Sequence, residues 1–247
     1  MIELADRRVA LLDANVLFPF RKRDILLRFH HAGLFRARWS ELIHDERTPT
    51  LVGQKPHLKR TVRSQLHAMT EHFTEALVTG YEPLIGTLEL PDADDRHVLA
   101  AAIRCCAQFV VTDNLTDFPA EVLAQFDIEA IDADGFLSRT FDLYPSEALD
   151  VLRTLREAYD NPPFTPSEFV RDLATKGLCR LAARTGAHRN QIQERRSTAR
   201  NCRFFTLPCH LPVRGRAASF DRTHCHLGRD PKQIRRAITP SRFPHAT

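Results

Sequence analysis

The sequence predicts an α/β fold: a three-layer domain on a parallel sheet, followed by a helical extension and a basic tail. Three observations predict it. Short apolar runs ending at polar residues recur at 9–12, 108–112 and 128–131, as buried parallel strands do. Stretches of helical period lie between and after them. Beyond about residue 186 the periodicity stops, and Arg, His, Pro, Ser and Thr dominate, as in disordered or weakly structured chain. The expected boundaries are 1–142 for the sheet domain, 143–186 for the extension and 187–247 for the tail.

In order along the chain, Val9-Ala-Leu-Leu12 reads as a buried strand closed by Asp13. Residues 24–35 read as a helix with Ile25, Leu26, Phe29 and Ala32 inward and Gly33 near its end. Residues 36–39 suit a short strand, and Ser40 suits the N-cap of a helix that opens with Glu41. Residues 57–79 carry Leu58, Val62, Leu66, Met69, Phe73 and Leu77 on one helical stripe. Asp94 is placed to cap a helix through Cys105, with Val98, Leu99, Ala102 and Cys106 inward. A short helix is expected over 120–125, and further helices over 134–141, 146–159 and 166–176. Pro162 and Pro163 break the pattern, and Pro166 fits a first helical turn.

Composition narrows the possible functions. No stretch approaches the roughly 20 apolar residues of a membrane span, and residues 1–8 lack the order of a signal peptide. A cytoplasmic location without membrane contact is the expectation. The six cysteines are too sparse for a disulfide framework, and Cys105 and Cys106 read as small buried hydrophobes. The net charge of +4 hides an asymmetry: residues 180–247 carry +12 and residues 1–179 carry −8. An acidic body with a basic tail needs two explanations.

Acids supply the first. In open α/β sheets, ligands bind beyond the carboxyl ends of the strands. Asp13 ends the first strand, the segment from Thr112 to Asp117 follows a later one, and Glu41 and Asp95 open helices. Four carboxylates converging there would repel one another unless a cation sat between them. Their hard oxygens suit Mg²⁺ or Mn²⁺ and not zinc. An ion so held activates water and stabilises charge on a phosphodiester, so phosphate-ester hydrolysis is the expected chemistry. Arg21, Lys22 and Arg23 could meet a polyanion, as could Lys55, Lys59, Arg60 and Arg63; a solvated helix face is the plainer reading of the last four.

Four segments resemble the signature segments of the PIN-domain nucleases: Leu12-Asp-Ala-Asn-Val-Leu17, Trp39-Ser-Glu-Leu42, Asp95-Arg-His-Val-Leu-Ala-Ala-Ala102 and Val111-Thr-Asp-Asn-Leu-Thr-Asp-Phe118. They stand in the family's order, and the likeness covers roughly residues 7 to 140. It points to the VapC-like branch, the toxin halves of toxin–antitoxin pairs. The resemblance implies a PIN-like fold and a Mg²⁺- or Mn²⁺-dependent endoribonuclease. It also implies that Asp13, Glu41 and Asp95 are metal-binding carboxylates, with Asn15 and Thr112 as supporting polar residues. The fourth acid falls on Asp117 with Asn114 as helper, and Asp113 is a further candidate ligand. RNA, an antitoxin and a homodimer are the implied partners. The helical extension could receive the antitoxin, though packing on its own domain is the simpler role.

Two other functions stay open. A flap-endonuclease-type DNA nuclease would need further acids and a helical clamp, which are not recognisable here. A catalytically silent RNA- or protein-binding module is disfavoured by the intact Asp13, Glu41 and Asp95. A receiver-type signalling domain would need a Lys after its last strands, and no Lys lies between residues 60 and 175. The tail has three readings: a nucleic-acid-binding segment, out-of-frame translation of a GC-rich gene, or a zinc site from Cys202, Cys209, His210, His224, Cys225 and His226. Zinc is disfavoured, because structural sites want closer cysteine pairs.

Overall fold

The computed structural model describes residues 7–46, 69–159 and 163–193, all within the compact unit Met1–Thr206. Strands β1 (Val9–Leu12), β2 (Arg36–Arg38), β3 (Phe109–Val111) and β4 (Glu129–Ile131) form a parallel sheet in the order β2-β1-β3-β4. Ala10, Leu11, Leu12, Val110 and Val111 are fully buried although neighbours on a strand point to opposite faces. Both faces of the sheet are therefore covered, as the continuous apolar runs require. The chain goes from β1 to one side for β2 and returns on the other for β3. The gap between β1 and β3 is thus the switch point where such sheets bind ligands.

Asp13 leaves β1 and caps the four-residue helix α1 (Ala14–Leu17), accepting a 2.6 Å hydrogen bond from the Ala14 amide. The next helix, α2 (Phe20–His31), begins four residues before the expected position. Pro19, in extended backbone, fixes the start, so Arg21, Lys22 and Arg23 fall in the first turn. Three cations there oppose the helix dipole, and each is met by an acceptor: Asp172, Asp113 and the Leu17 carbonyl. Ile25, Leu26 and Phe29 are buried as expected, but Ala32 is the exposed C-cap. Gly33, at φ 71°, takes the left-handed position beyond it.

Ser40 caps α3 (Glu41–Glu46) through a 3.3 Å bond from the Ile43 amide. Residues 57–68 of the expected long helix lie outside the described residues, as do Lys55, Lys59, Arg60 and Arg63. The α-helix ends at residue 72 rather than 79 and a 3-10 turn follows over Thr74–Ala76, because the Leu77 segment leaves to form a parallel bridge with the buried Trp39. A short helix α4 (Glu82–Ile85) precedes α5 (Arg96–Arg104). The N-cap position of α5 belongs to Asp95, not Asp94, and its side chain makes no capping bond. The helix also ends early, with Cys106 at φ 54° and the Ala107 amide bonded back to the Ala102 carbonyl at 2.9 Å. Cys106 is consequently exposed rather than buried. Cys105 is half-buried, and burial pushes its thiol up to about 11.

After α6 (Ala120–Leu123) and β4 come four helices: α7 (Ala133–Leu143), α8 (Pro145–Ala158), α9 (Pro166–Thr175) and α10 (Cys179–Ala187). Pro166 occupies the first turn of α9 behind a capping box of Thr165 and Glu168. Phe169, Leu173, Leu178 and Leu181 are fully buried. Ile192 is buried too, and its carbonyl accepts from Arg156 at 3.1 Å, so ordered packing runs past residue 187. The expected low-order tail otherwise lies outside the described residues.

Leu178, the N-cap residue of α10, supplies no side-chain bond. Asp134 on α7 does so instead, accepting from the Arg180 amide at 2.8 Å and the Leu181 amide at 2.9 Å. Asp134→Ala is expected to destabilise the protein by about 1–2 kcal/mol in urea unfolding. Removing the exposed Arg184–Asp142 pair between the same helices is expected to cost less than about 1 kcal/mol.

Candidate active site

The site begins where β1 and β3 end side by side. The Asp13 amide donates to the Val111 carbonyl at 3.1 Å, and the Thr112 amide to the Ile131 carbonyl at 3.0 Å. These bonds carry the sheet register one residue past its strands. Asp13, 4% exposed, accepts from the Thr112 hydroxyl at 2.7 Å, and that hydroxyl accepts from the Asn15 side-chain amide at 2.8 Å. Asn15 also accepts from the Asp113 amide at 2.9 Å, while the Asn114 amide donates to Thr112 Oγ1 at 3.1 Å. The loop after β3 is thereby tied to the turn after β1. Asn114 extends the chain by donating to Asp117, in a short 3-10 turn from Leu115 to Asp117.

Asp117 meets the segment that precedes α5. One carboxylate oxygen each from Asp92, Asp95 and Asp117 lies within 4.8 Å of the others. Of the expected acids, the structure thus brings Asp95 and Asp117 together directly and links Asp13 to them through Thr112 and Asn114. Glu41 is exposed at the first position of α3, a helix that packs on α1, and stands outside the three-acid group. Asp113 stands outside it as well; its carboxylate pairs with Lys22 and accepts from the Ala133 amide at 3.5 Å. Asp92 is the member that the sequence did not single out. Its signal was the Asp92-x-x-Asp95 spacing, masked by Asp94 between them, whose amide bonds Asp92 Oδ1 at 2.9 Å.

Two basic residues expected at the mouth are used elsewhere. Arg21 Nε pairs with Asp172 Oδ2 at 2.7 Å, and its guanidinium lies 4.0 Å from the centre of the Tyr159 ring. Arg23 is buried against the Leu17 carbonyl at 3.0 Å, and burial lowers its pKa. Both positions brace α2. Neither presents a free cation.

All the donors in the three-acid group are carboxylate oxygens, which suit a small hard divalent ion. Octahedral Mg²⁺ ligands sit about 2.0–2.1 Å from the metal, so neighbouring ligand oxygens are about 3 Å apart, and a bound ion would draw the three carboxylates, which lie within 4.8 Å of one another, closer together. Fold and site together define a parallel-sheet α/β protein with a group of acids joined to the switch point through Thr112 and Asn114.

Residues 133–187 match the family model for the VapC50 C-terminal domain, a span that coincides with α7 through α10. The chain is 42% identical over 97 residues to the protein named "Putative ribonuclease VapC50" from Mycobacterium tuberculosis (strain ATCC 25618 / H37Rv). That alignment covers 39% of this chain and 57% of the relative's length. These two matches bear out the resemblance to VapC-like PIN nucleases. No solved structure matches the chain significantly. Among the described residues, no helix is long and apolar enough to cross a membrane.

Proposed function

We propose that the chain is a divalent-metal-dependent endoribonuclease, the toxin of a toxin–antitoxin pair. The observation that carries this reading is the convergence of Asp92, Asp95 and Asp117 beside the β1–β3 switch point. Asp95 and Asp117 would hold Mg²⁺ or Mn²⁺, and Asp92 would complete the protein's share of the ligands. When bound, the ion lowers the pKa of a coordinated water and offsets charge on the phosphodiester. Asp13 keeps Thr112 and Asn114 in register, which aims Asp117 at Asp95. Glu41 enters this reading through the family resemblance, from the adjoining helix α3.

Hydrolysis places the water's hydroxyl on phosphorus as the P–O bond breaks, and the leaving oxygen takes up a proton. The likeness to the VapC50 ribonuclease supports RNA as substrate, an antitoxin as regulatory partner and a cytoplasmic setting. A homodimer belongs to the same reading. The purified protein is expected to cut labelled single-stranded RNA with Mg²⁺ or Mn²⁺, to stop on addition of EDTA and to spare a DNA strand of the same sequence. Cutting that persists in EDTA, or preference for the DNA strand, would reject the proposal.

A further inference from the structure

Helix α2 carries three successive cations in its first turn, and their different fates single out Lys22. Arg21 is fixed by Asp172 and Tyr159, and Arg23 by the Leu17 carbonyl. Lys22 instead reaches across to the loop after β3 and pairs with Asp113. Asp113 adjoins Thr112, and its amide is held by Asn15, so the ammonium group stands beside the loop that runs from Thr112 to Asp117. Two neighbouring features restrict the lysine to that direction. Its side chain is 15% exposed. The turn between α9 and α10 passes beside it, since a Cβ on Gly177 would lie 3.8 Å from Lys22 Nζ. Gly177, at φ 78°, allows that close passage.

The paired carboxylate is the more accessible partner, with 36% of the Asp113 side chain exposed. Solvent at the carboxylate screens the pair, so a phosphate arriving beside Asp113 can take the lysine from it. We propose that Lys22 contacts a phosphate of the bound RNA strand, and that Asp113 holds the ammonium in place until the strand arrives. Lys22 is then a positioning residue for the substrate, and Asp113 is its counter-ion rather than a metal ligand. This rests on the nuclease reading only in naming RNA as the polyanion. The helical extension gains a role from it: through Asp172 and Gly177 it holds the first turn of α2 against the loop after β3.

Binding and cleavage are read separately. A fluorescein-labelled single-stranded oligoribonucleotide is titrated in Ca²⁺ at several salt concentrations, with affinity followed by anisotropy. Each phosphate contact to a single strand contributes about 0.7 to the slope of log affinity against log salt. Lys22→Met is expected to flatten the slope by about that amount and to weaken binding roughly tenfold at low salt. Lys22→Arg should restore the slope, whereas Asp113→Asn should tighten binding. Thermal melting checks that each variant is folded. A parent slope in folded Lys22→Met, weaker binding in Asp113→Asn, or no RNA binding by the parent overturns the contact. If the parent shows a Lys22-dependent slope but cuts nothing, the contact stands and the nuclease reading falls.

Discussion

Asp95→Asn is expected to reduce RNA cleavage by about a hundredfold or more and to abolish the tight phase of Mn²⁺ binding in calorimetry. Asp95 stands at a helix N-cap, a position where Asn serves about as well as Asp, so amidation costs the helix little. It removes one of three mutually close carboxylates, and a neutral amide is a far poorer partner for a hard dication. Folding should therefore survive while metal affinity and turnover fall together. Asp13→Asn should behave differently. Asp13 is buried, with one oxygen on the Ala14 amide and the other on the Thr112 hydroxyl, and amidation turns an acceptor facing Thr112 into a donor. Its loss should show in both melting temperature and activity. An Asp95→Asn variant that binds Mn²⁺ like the parent would place the ion elsewhere.

The second large effect is loss of stability on acidification, centred on His44. Its ring is buried and stacks on Trp39, with centroids 5.8 Å apart and planes 27° apart. Burial lowers its pKa from 6.5 to about 4, helped by the charge on Arg23 and opposed by Asp45. The unfolded chain takes up the proton first, so the neutral ring stabilises the fold above pH 6.5. That contribution drains away as the pH falls from 6.5 toward 4. A shift of this size corresponds to about 3 kcal/mol. His30 and His97 are also lowered by burial and add to the same trend. Urea unfolding between pH 7.5 and 4.5 measures the total, and His44→Leu isolates this residue's share. An unchanged pH dependence in that variant would refute the assignment.

The sheet was legible because its strands are continuous apolar runs, and Asp13 and Thr112 could be placed from their positions just after them. The same reading could not see where α2 begins, because helical periodicity marks only the buried stretch and Phe20 to Arg23 lie ahead of it. Arg21 looked like a free cation because its relation to the C-terminal helices is a matter of tertiary structure. The contact between Asp24 and Tyr159 one turn on, for example, spans 135 residues. Asp92 was hidden by composition: three aspartates within four positions cannot be told apart by residue type. Cys106 was assigned to the core on the assumption that α5 continued, whereas the helix closes one residue before it.

The bond from Thr112 to Asp13 joins residues 99 positions apart, and β3 can pair with β1 only after the intervening chain has been made. At about 5–20 residues per second, a ribosome takes roughly 5–20 s to supply it. A growing chain must carry the oily β1 run through that interval without its central partner, the slow kind of closure expected of non-local parallel pairing. Until the segment around residue 117 emerges, a nascent copy cannot assemble the three-acid group.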